Sequence, residues 1–473
     1  MGKLKNANHT DVLKKIKPSH EETERVKRFV QQLLGVSKTV SGLDSVIVGS
    51  IGKFTWLAGD HDIDLFIMFD SSVPREELER LGLEYGKRVV EELGGKWKVK
   101  YAEHPYTSAT IKGYDVDIVP CYRIKYGEKI KSAVDRSPLH LRHVLDYIKP
   151  AMLDQVRLLK QFCKGIGVYG SDAKNQGFSG YICELLVLQY GSFEAAMESA
   201  SSWKPPHIIN SERHLGVPLH QFKDQPLVII DPVDPGRNVA AVVSGENFMK
   251  FVSAAKRYKQ RPSARFFFPD ARKPLSANQV KSLQNRETKF IALQMKHPEI
   301  IDDILYPQLR RTMSRIVQLL EHDEFHVLRA LEFAERQPTI IFELEVWSLP
   351  AVKKMVGPPI FSEKHTSEFL AKYSKSFLYV HENRWIAEVP RRHKTAVSLI
   401  NDFLNAAPPV LAERGVPKYL APQLSKKKVA EHHEFWKLVK KDAALSDYIR
   451  QKYFVDITRD SKATPNESNK KQD

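Results

Sequence analysis

The residues best placed for chemistry lie between Val46 and Phe69, VIVGSIGKFTWLAGDHDIDLFIMF. A short apolar run breaks at Gly49-Ser50, passes Gly52 and Gly59, and re-enters an apolar run through Asp62-Ile63-Asp64. On a strand, alternate side chains share a face, so Asp62 and Asp64 point the same way about 7 Å apart. Two carboxylates so placed repel each other unless a cation neutralises them. Mg²⁺ matches, because it takes one or two carboxylates together with substrate phosphates. A lone Asp-x-Asp also reads as two solvated aspartates at a strand end. The turn upstream favours chemistry: glycine lets backbone N–H groups approach a phosphate, and the Ser50 hydroxyl adds a donor. A second alternating pair follows in Tyr114-Asp115-Val116-Asp117-Ile118-Val119-Pro120, so Asp117 can meet the first two from a neighbouring strand.

Further along, Lys160 flanks the apolar stripe Leu153, Val156, Leu159 and Cys163 of a helix over 151–166. It reads either as a lysine whose stem covers a helix seam or as a cation facing a triphosphate, with Tyr169 one loop later to stack or hydrogen-bond. Arg237 stands in a Pro-Gly loop before Asn238, an expected helix N-cap, and a guanidinium beside a helix start can read an anion or a base edge. Other motifs carry less. Gly165-Ile166-Gly167-Val168-Tyr169-Gly170 has the spacing of a dinucleotide fingerprint but follows a helix rather than a strand. Gly52-Lys53 is followed by Phe54, which excludes a P-loop. The histidine pairs His140/His143 and His322/His326 lack matching cysteine or carboxylate partners for zinc. The basic runs Lys426–Lys428 and Lys440-Lys441, with Arg310, Arg311, Arg315, Arg391 and Arg392, read as solvated faces or as an RNA backbone track.

Several elements must position these residues. Ser19 with Glu22 predicts a capping box opening a helix over 19–34. A second amphipathic helix spans 75–93 and stops at Gly94-Gly95. Strands are expected at 97–101, 107–111 and 115–120, which together give a small mixed sheet with helices on one face. Its boundary falls near 135–138. Helices over 138–148, 151–166, 179–199 and 238–258 with a strand at 227–230 predict a helical central domain, broken at Lys149-Pro150. From about 264 the pattern turns to strands at 264–268, 287–295, 325–334, 339–347, 376–381 and 384–389, with helices near 300–321 and 364–373. Helices return at 392–406 and 428–452, and the polar stretch 459–473 is expected to be disordered. The fold class is therefore α+β and multidomain: a palm-like mixed-sheet domain over 1–137, a helical domain over 138–263 and an α+β body and tail over 264–458.

Composition is consistent with this. The chain has 473 residues, 42% of them hydrophobic, enough for real cores. A net charge of +16 favours a polyanionic partner, most simply nucleic acid. Three scattered cysteines exclude a disulfide framework and point to a reducing, intracellular compartment. No apolar run approaches the ~18 residues of a membrane span, and the lysine-rich N-terminus is no signal peptide, so a cytoplasmic protein without a membrane partner is expected.

The motifs together resemble the polymerase β-like nucleotidyltransferases and, within them, the archaeal-type (class I) CCA-adding enzymes. The resemblance rests on Gly49-Ser50 with Thr55-Trp56-Leu57 and Asp62-Ile63-Asp64, then on Asp115 to Tyr122. It continues through Leu159-Lys160, Gly165 to Gly170, Gly177 to Tyr181 with Glu184-Leu185-Leu186, and Asp231-Pro232 to Ala240. It implies template-independent addition and repair of the 3′-terminal CCA of tRNA from CTP and ATP, with release of pyrophosphate. By resemblance, Asp62, Asp64 and Asp117 bind two Mg²⁺. Ser50, Lys53, His140, Lys160 and Tyr169 hold the triphosphate, and Arg237 reads the base. The partners implied are the tRNA acceptor end, ATP and CTP, and a homodimer through the C-terminal region. Lysine at 53 and aspartate at 62 depart from the family's frequent arginine and glutamate; lysine keeps the charge but loses the bidentate fork. A poly(A) polymerase or another terminal transferase shares the same core, and a non-catalytic RNA-binding protein is a third reading.

Overall fold

The structure, a computed structural model, describes residues 9–454 except 102, 213, 215, 218, 269 and 270. The stretch 459–473 lies outside the described residues. The chain divides into two compact units, one ending at Asp270 and the other beginning at Ala271.

The first unit opens with helices α1 (His9–Ile16) and α2 (His20–Ser41). Ser19 caps α2 by accepting from the Glu22 N–H at 3.0 Å. Glu22 does not close the box; its carboxylate instead takes the Gly59 N–H at 2.9 Å and lies 3.0 Å from His61 Nε2, tying α2 to the loop before Asp62. The helix runs past the expected 34, to an αL stop at Gly42. A five-stranded sheet follows: β1 (Ser45–Ile47), β2 (Asp62–Phe69), β3 (Lys96–Tyr101), β4 (Pro105–Ile111) and β5 (Tyr114–Tyr122), in the order β1-β2-β5-β4-β3. β2 and β5 run parallel in register Asp62↔Asp115 and Asp64↔Asp117, and the other pairs are antiparallel. Between β1 and β2 lies the one-turn helix α3 (Gly49–Gly52).

One face of this sheet packs on α2 and on α4 (Arg75–Glu92). Ile63, Leu65, Ile67, Val116 and Ile118 point there. α4 lies very close: a Cβ on Gly82 would stand 2.5 Å from Pro120, and one on Gly86 2.5 Å from Thr107. Alternation puts Asp62, Asp64, Asp115 and Asp117 on the other face.

The remainder of this unit comprises α5 (Arg136–Tyr147), α6 (Pro150–Gly165), α7 (Gly180–Tyr190), α8 (Phe193–Ala200) and α9 (Gly245–Gln260). A small sheet joins them: β6 (His207–Ile209), β7 (Leu227–Asp231) and β8 (Asp234–Asn238). The helix expected over 179–199 is two helices, because Gly191 takes φ +85° and Ser192 caps a new start. The helix expected from 238 begins at Gly245 behind the Ser244 cap. Asn238 is no N-cap. It ends β8 buried, accepting from the Ile229 and Ala240 N–H groups at 2.8 Å and donating to the Leu227 carbonyl at 2.8 Å. Residues expected as a strand over 264–268 form a short 3₁₀ turn at Ala264–Phe266.

The second unit holds a four-stranded sheet of β9 (Lys289–Gln294), β10 (Val327–Phe333), β11 (Thr339–Leu344) and β15 (Lys428–Glu431), ordered β10-β11-β9-β15. A three-stranded sheet orders β12 (Val352–Pro359), β14 (Arg384–Pro390) and β13 (Phe377–His381). α10 (Ala277–Gln284), α11 (Asp302–His322) and α12 (Glu363–Lys372) accompany them. Two expectations change. Residues 428–431 form a strand, because Ala430 and its neighbours complete the sheet beside β9, and helices follow at His432–Lys441 and Ala443–Phe454. β12, lysine- and proline-rich, was not expected as a strand. The mixed, multidomain α+β architecture matches the expected class.

Cys121, Cys163 and Cys183 are free and buried. Among the described residues, no helix is long and apolar enough to cross a membrane.

Candidate active site

The carboxylate face of the sheet is built by register. Parallel pairing sets Asp64 beside Asp117 and Asp62 beside Asp115, and antiparallel pairing adds Ser108 next to Asp117 and Thr110 next to Asp115. The Thr110 hydroxyl donates to Asp115 at 2.8 Å, and Lys100 reaches Asp117 at 3.4 Å. Burial pushes Asp64 up to about 6, with Asp117 and Asp62 adding repulsion and Lys53 and Lys100 offsetting part of it. Asp62 is likewise pushed up by burial, then by Asp115, Asp60 and Asp117. Such a row of crowded carboxylates favours whatever cation can neutralise it.

The α3 turn closes over Asp64. Gly49 adopts φ +64°, and a Cβ there would stand 2.4 Å from Asp64 Oδ2. Gly52 has no more room, since its Cβ would meet the Ile47 carbonyl at 2.1 Å. Both glycines are therefore dictated by close approach. The turn holds Ser50 in its first half and delivers Lys53 at its end.

A cleft of about 340 Å³ opens here, lined by Gly49, Lys53, Asp64, Asp117, Ser137, His140 and Tyr181 together with His104 and Tyr106. Two buried polar atoms facing it, Tyr181 Oη and His104 Nε2, have no hydrogen-bond partner among the described residues. Buried polar groups left unpaired in a cleft mark a place where a ligand can supply the missing bonds.

Lys53 forms the cleft wall and the edge of a buried ionic knot. Its Nζ lies 2.8 Å from Glu184 Oε2 and 4.8 Å above the Tyr181 ring. Glu184 also accepts from the Thr55 hydroxyl at 2.6 Å and from Lys160 Nζ at 3.1 Å, while Lys160 donates to Thr55 Oγ1 at 2.8 Å and to its carbonyl at 3.2 Å. Burial alone would raise Glu184, but Lys53, Lys160 and Thr55 outweigh it and hold the carboxyl down to about 2. Burial lowers Lys160, which is only 1% exposed. Lys160 thus lies behind Lys53 and Thr55 and does not line the cleft. Tyr169 pairs with Phe178 through an isolated β-bridge in the same region, and Lys164 Nζ lies 5.4 Å from the centre of its ring.

A second assembly faces the cleft from the β7–β8 hairpin. His140 Nε2 lies 2.9 Å from Asp231 Oδ2, and Arg237 Nη1 donates to the same oxygen at 2.7 Å. Burial would raise Asp231, but His140 and Arg237 hold it low; burial in turn lowers His140, which stacks on Tyr181 at 4.1 Å. Asn238 pins the hairpin and so aims Arg237. Asp64, Asp117, Lys53 and His140 come together around this space. Asp62 stands one pleat along β2 on the same face, outside this cleft's lining; Ser50 joins through the turn, and Arg237 through Asp231.

Carboxylate oxygens in this register suit a hard divalent ion. Among the described residues, no three acidic, histidine or cysteine side chains are already gathered into a metal cage. A site completed by substrate phosphates needs none. Sequence reasoning gave no role to Glu184, Tyr181, Asp231 or His104. The first three stand inside the motifs quoted for the resemblance, which was the one available signal.

Comparison with known proteins extends this picture. Three family descriptions match: "Nucleotidyltransferase domain" over residues 24–140, "tRNA nucleotidyltransferase, second domain" over 154–268, and "CCA-adding enzyme, C-terminal domain" over 286–409. The CCA-adding enzyme of Methanothermobacter thermautotrophicus is 40% identical over 84% of this chain and 88% of its own length. That of Methanocaldococcus jannaschii is 36% identical over 88% and 94%. The solved structure of a cytoplasmic RNA terminal U-transferase covers 56% of this chain and 98% of its own, with a TM-score of 0.44 and 15% identity, a likeness too distant to bear on function.

Proposed function

The chain belongs to the CCA-adding enzyme family, and from that premise we propose that it adds the 3′-terminal CCA of tRNA from CTP and ATP at the cleft beside Asp64 and Asp117. The observation that carries the placement is the in-register pairing of these two aspartates under the Gly49 turn. Asp62, Asp64 and Asp117 would hold Mg²⁺. When bound, the metal supplies acidification of the RNA 3′-hydroxyl and neutralisation of phosphate charge.

The protein's own groups do the rest. Ser50, Lys53 and His140 bind and orient the triphosphate so that the hydroxyl and the leaving pyrophosphate lie in line across the α-phosphorus. Lys160 acts from below by fixing Glu184 and Thr55, which aim Lys53, and Tyr169 packs beside that knot. Arg237, steadied by Asp231, reads the Watson–Crick edge of the incoming base. Lys53, bonded by one ammonium rather than a fork, clamps phosphate less rigidly than arginine would. The functional division follows the sequence: catalytic residues 1–137, nucleotide-binding residues 138–263 and tRNA-binding residues 264–458. A cytoplasmic location and a homodimer complete the reading.

The test gives the protein a tRNA transcript ending at the discriminator base, with Mg²⁺ and CTP, ATP, both or neither. Two added nucleotides from CTP alone and three from both are expected. Long tails from ATP alone would replace this reading with a poly(A)-type transferase, and RNA binding without extension would replace it with a binding protein.

A further inference from the structure

The Asp64–Asp117 pair is shared by two clefts. One is the cleft of Gly49, Lys53 and His140 described above. The other, of about 220 Å³, lies on the opposite side of the pair and is lined by Lys98, Lys100, Ser108 and Thr110 with Asp62 and Asp115. Its far wall is β3. Register places Lys98 beside Ser108 and Lys96 beside Thr110, so the lysines at 96, 98 and 100 all face the carboxylate side. They stand about 7 Å apart along the strand. Lys100 is drawn to Asp117, whereas Lys96 and Lys98 are exposed and make no ion pair among the described residues.

Lysines on an edge strand also guard against edge-to-edge pairing. That role requires no particular face, yet these three share the face of the reacting centre. In-line transfer fixes the rest. If the triphosphate's leaving end lies toward Gly49 and Lys53, the attacking hydroxyl must arrive from the other side of the α-phosphorus. The other side is the lysine cleft. We propose that β3 is the track for the last backbone phosphates of the acceptor strand, with Lys96 and Lys98 holding the RNA so that its 3′-hydroxyl reaches Asp117. The inference rests on the proposed tRNA activity and adds where the RNA end enters.

The experiment compares the full-length protein with Lys98→Gln and with Lys96→Gln/Lys98→Gln. It measures KM for tRNA lacking CCA and KM for CTP across a salt series. The double variant should raise KM for tRNA about tenfold and make its log–log salt slope shallower by about 1.4, since a single-strand phosphate contact contributes ~0.7. KM for CTP should stay within twofold, and Lys98→Arg should restore tRNA KM. Unchanged tRNA KM and salt slope in the double variant overturn the track. A raised KM for CTP alone also overturns it, by putting the triphosphate there. Failure of the wild-type protein to extend tRNA refutes the activity instead, so the two failures are distinct. Should the double variant aggregate, a photo-reactive group on the last nucleotide of tRNA decides the matter on the wild-type protein. Crosslinks within 96–110 are expected, and their absence there, with crosslinks elsewhere, removes the proposal.

Discussion

Gly49 has no room for a side chain, since a Cβ would stand 2.4 Å from Asp64 Oδ2 at a φ that side chains rarely take. Gly49→Ala must therefore displace either the turn or the carboxylate. Extension should fall at least about a hundredfold, from misplaced reacting groups, while circular dichroism stays native. Asp64 itself carries a stability penalty. Its folded value of about 6 lies above the 3.8 of an ordinary aspartate, so ionising it disfavours the native state. The penalty is absent below ~4, grows as pH rises through 6 and is full at neutral pH. Asp64→Asn should thus abolish extension yet stabilise the metal-free protein by about 3 kcal/mol at pH 7.5, and by little at pH 4. Denaturation in EDTA at the two pH values checks this; equal stabilisation at both would sink the electrostatic account. Glu184 has the opposite sign. Held down to about 2, it contributes stability above its unfolded value near 4.5, lost as pH falls toward 2. Glu184→Gln strands two ammonium groups beside a neutral amide, so a loss of about 3 kcal/mol is expected in urea denaturation at pH 7.

At the scale of elements, the parts that sequence disclosed were those with a clean period. Asp62, Asp64 and Asp117 alternate with apolar residues, and alternation on two strands suffices to bring them onto one face. The β7–β8 hairpin was not disclosed. Asp231-Pro232-Val233-Asp234-Pro235-Gly236 reads as loop, because its strand order comes from Asn238 bonding back to Leu227 and Ile229 rather than from side-chain pattern. Glu184 was obscured in another way: α7 is apolar all round, so nothing local says that one carboxylate inside it meets two lysines from distant segments. The same reason explains Lys160, whose depth depends on that partner. One prediction belongs to the hairpin. Asp231→Asn removes the charge that fixes Arg237 and His140 together, and KM for CTP and ATP should rise about tenfold with the protein still folded, roughly one charged hydrogen bond's worth. Unaltered KM values for both would mean that Arg237 needs no such support.

For the molecule as a whole, the net charge of +16 sets how it meets RNA. If it contacts tRNA through six or more phosphates, raising salt from 50 to 200 mM should weaken tRNA binding about a thousandfold. KM for CTP should change far less, because Lys53 and His140 act inside a cleft. A flat salt response in filter binding would show that shape and base contacts dominate.

The three thiols have a practical consequence. Cys121, Cys163 and Cys183 are all buried, and burial pushes the Cys121 and Cys163 thiols up, away from the reactive thiolate. A single cysteine introduced on an exposed position of either unit becomes the protein's one readily alkylated sulfur, with no need to strip out the native three. With one such cysteine on each unit, donor and acceptor maleimide dyes can be attached there, and the distance between the two units followed by energy transfer as each nucleotide is added.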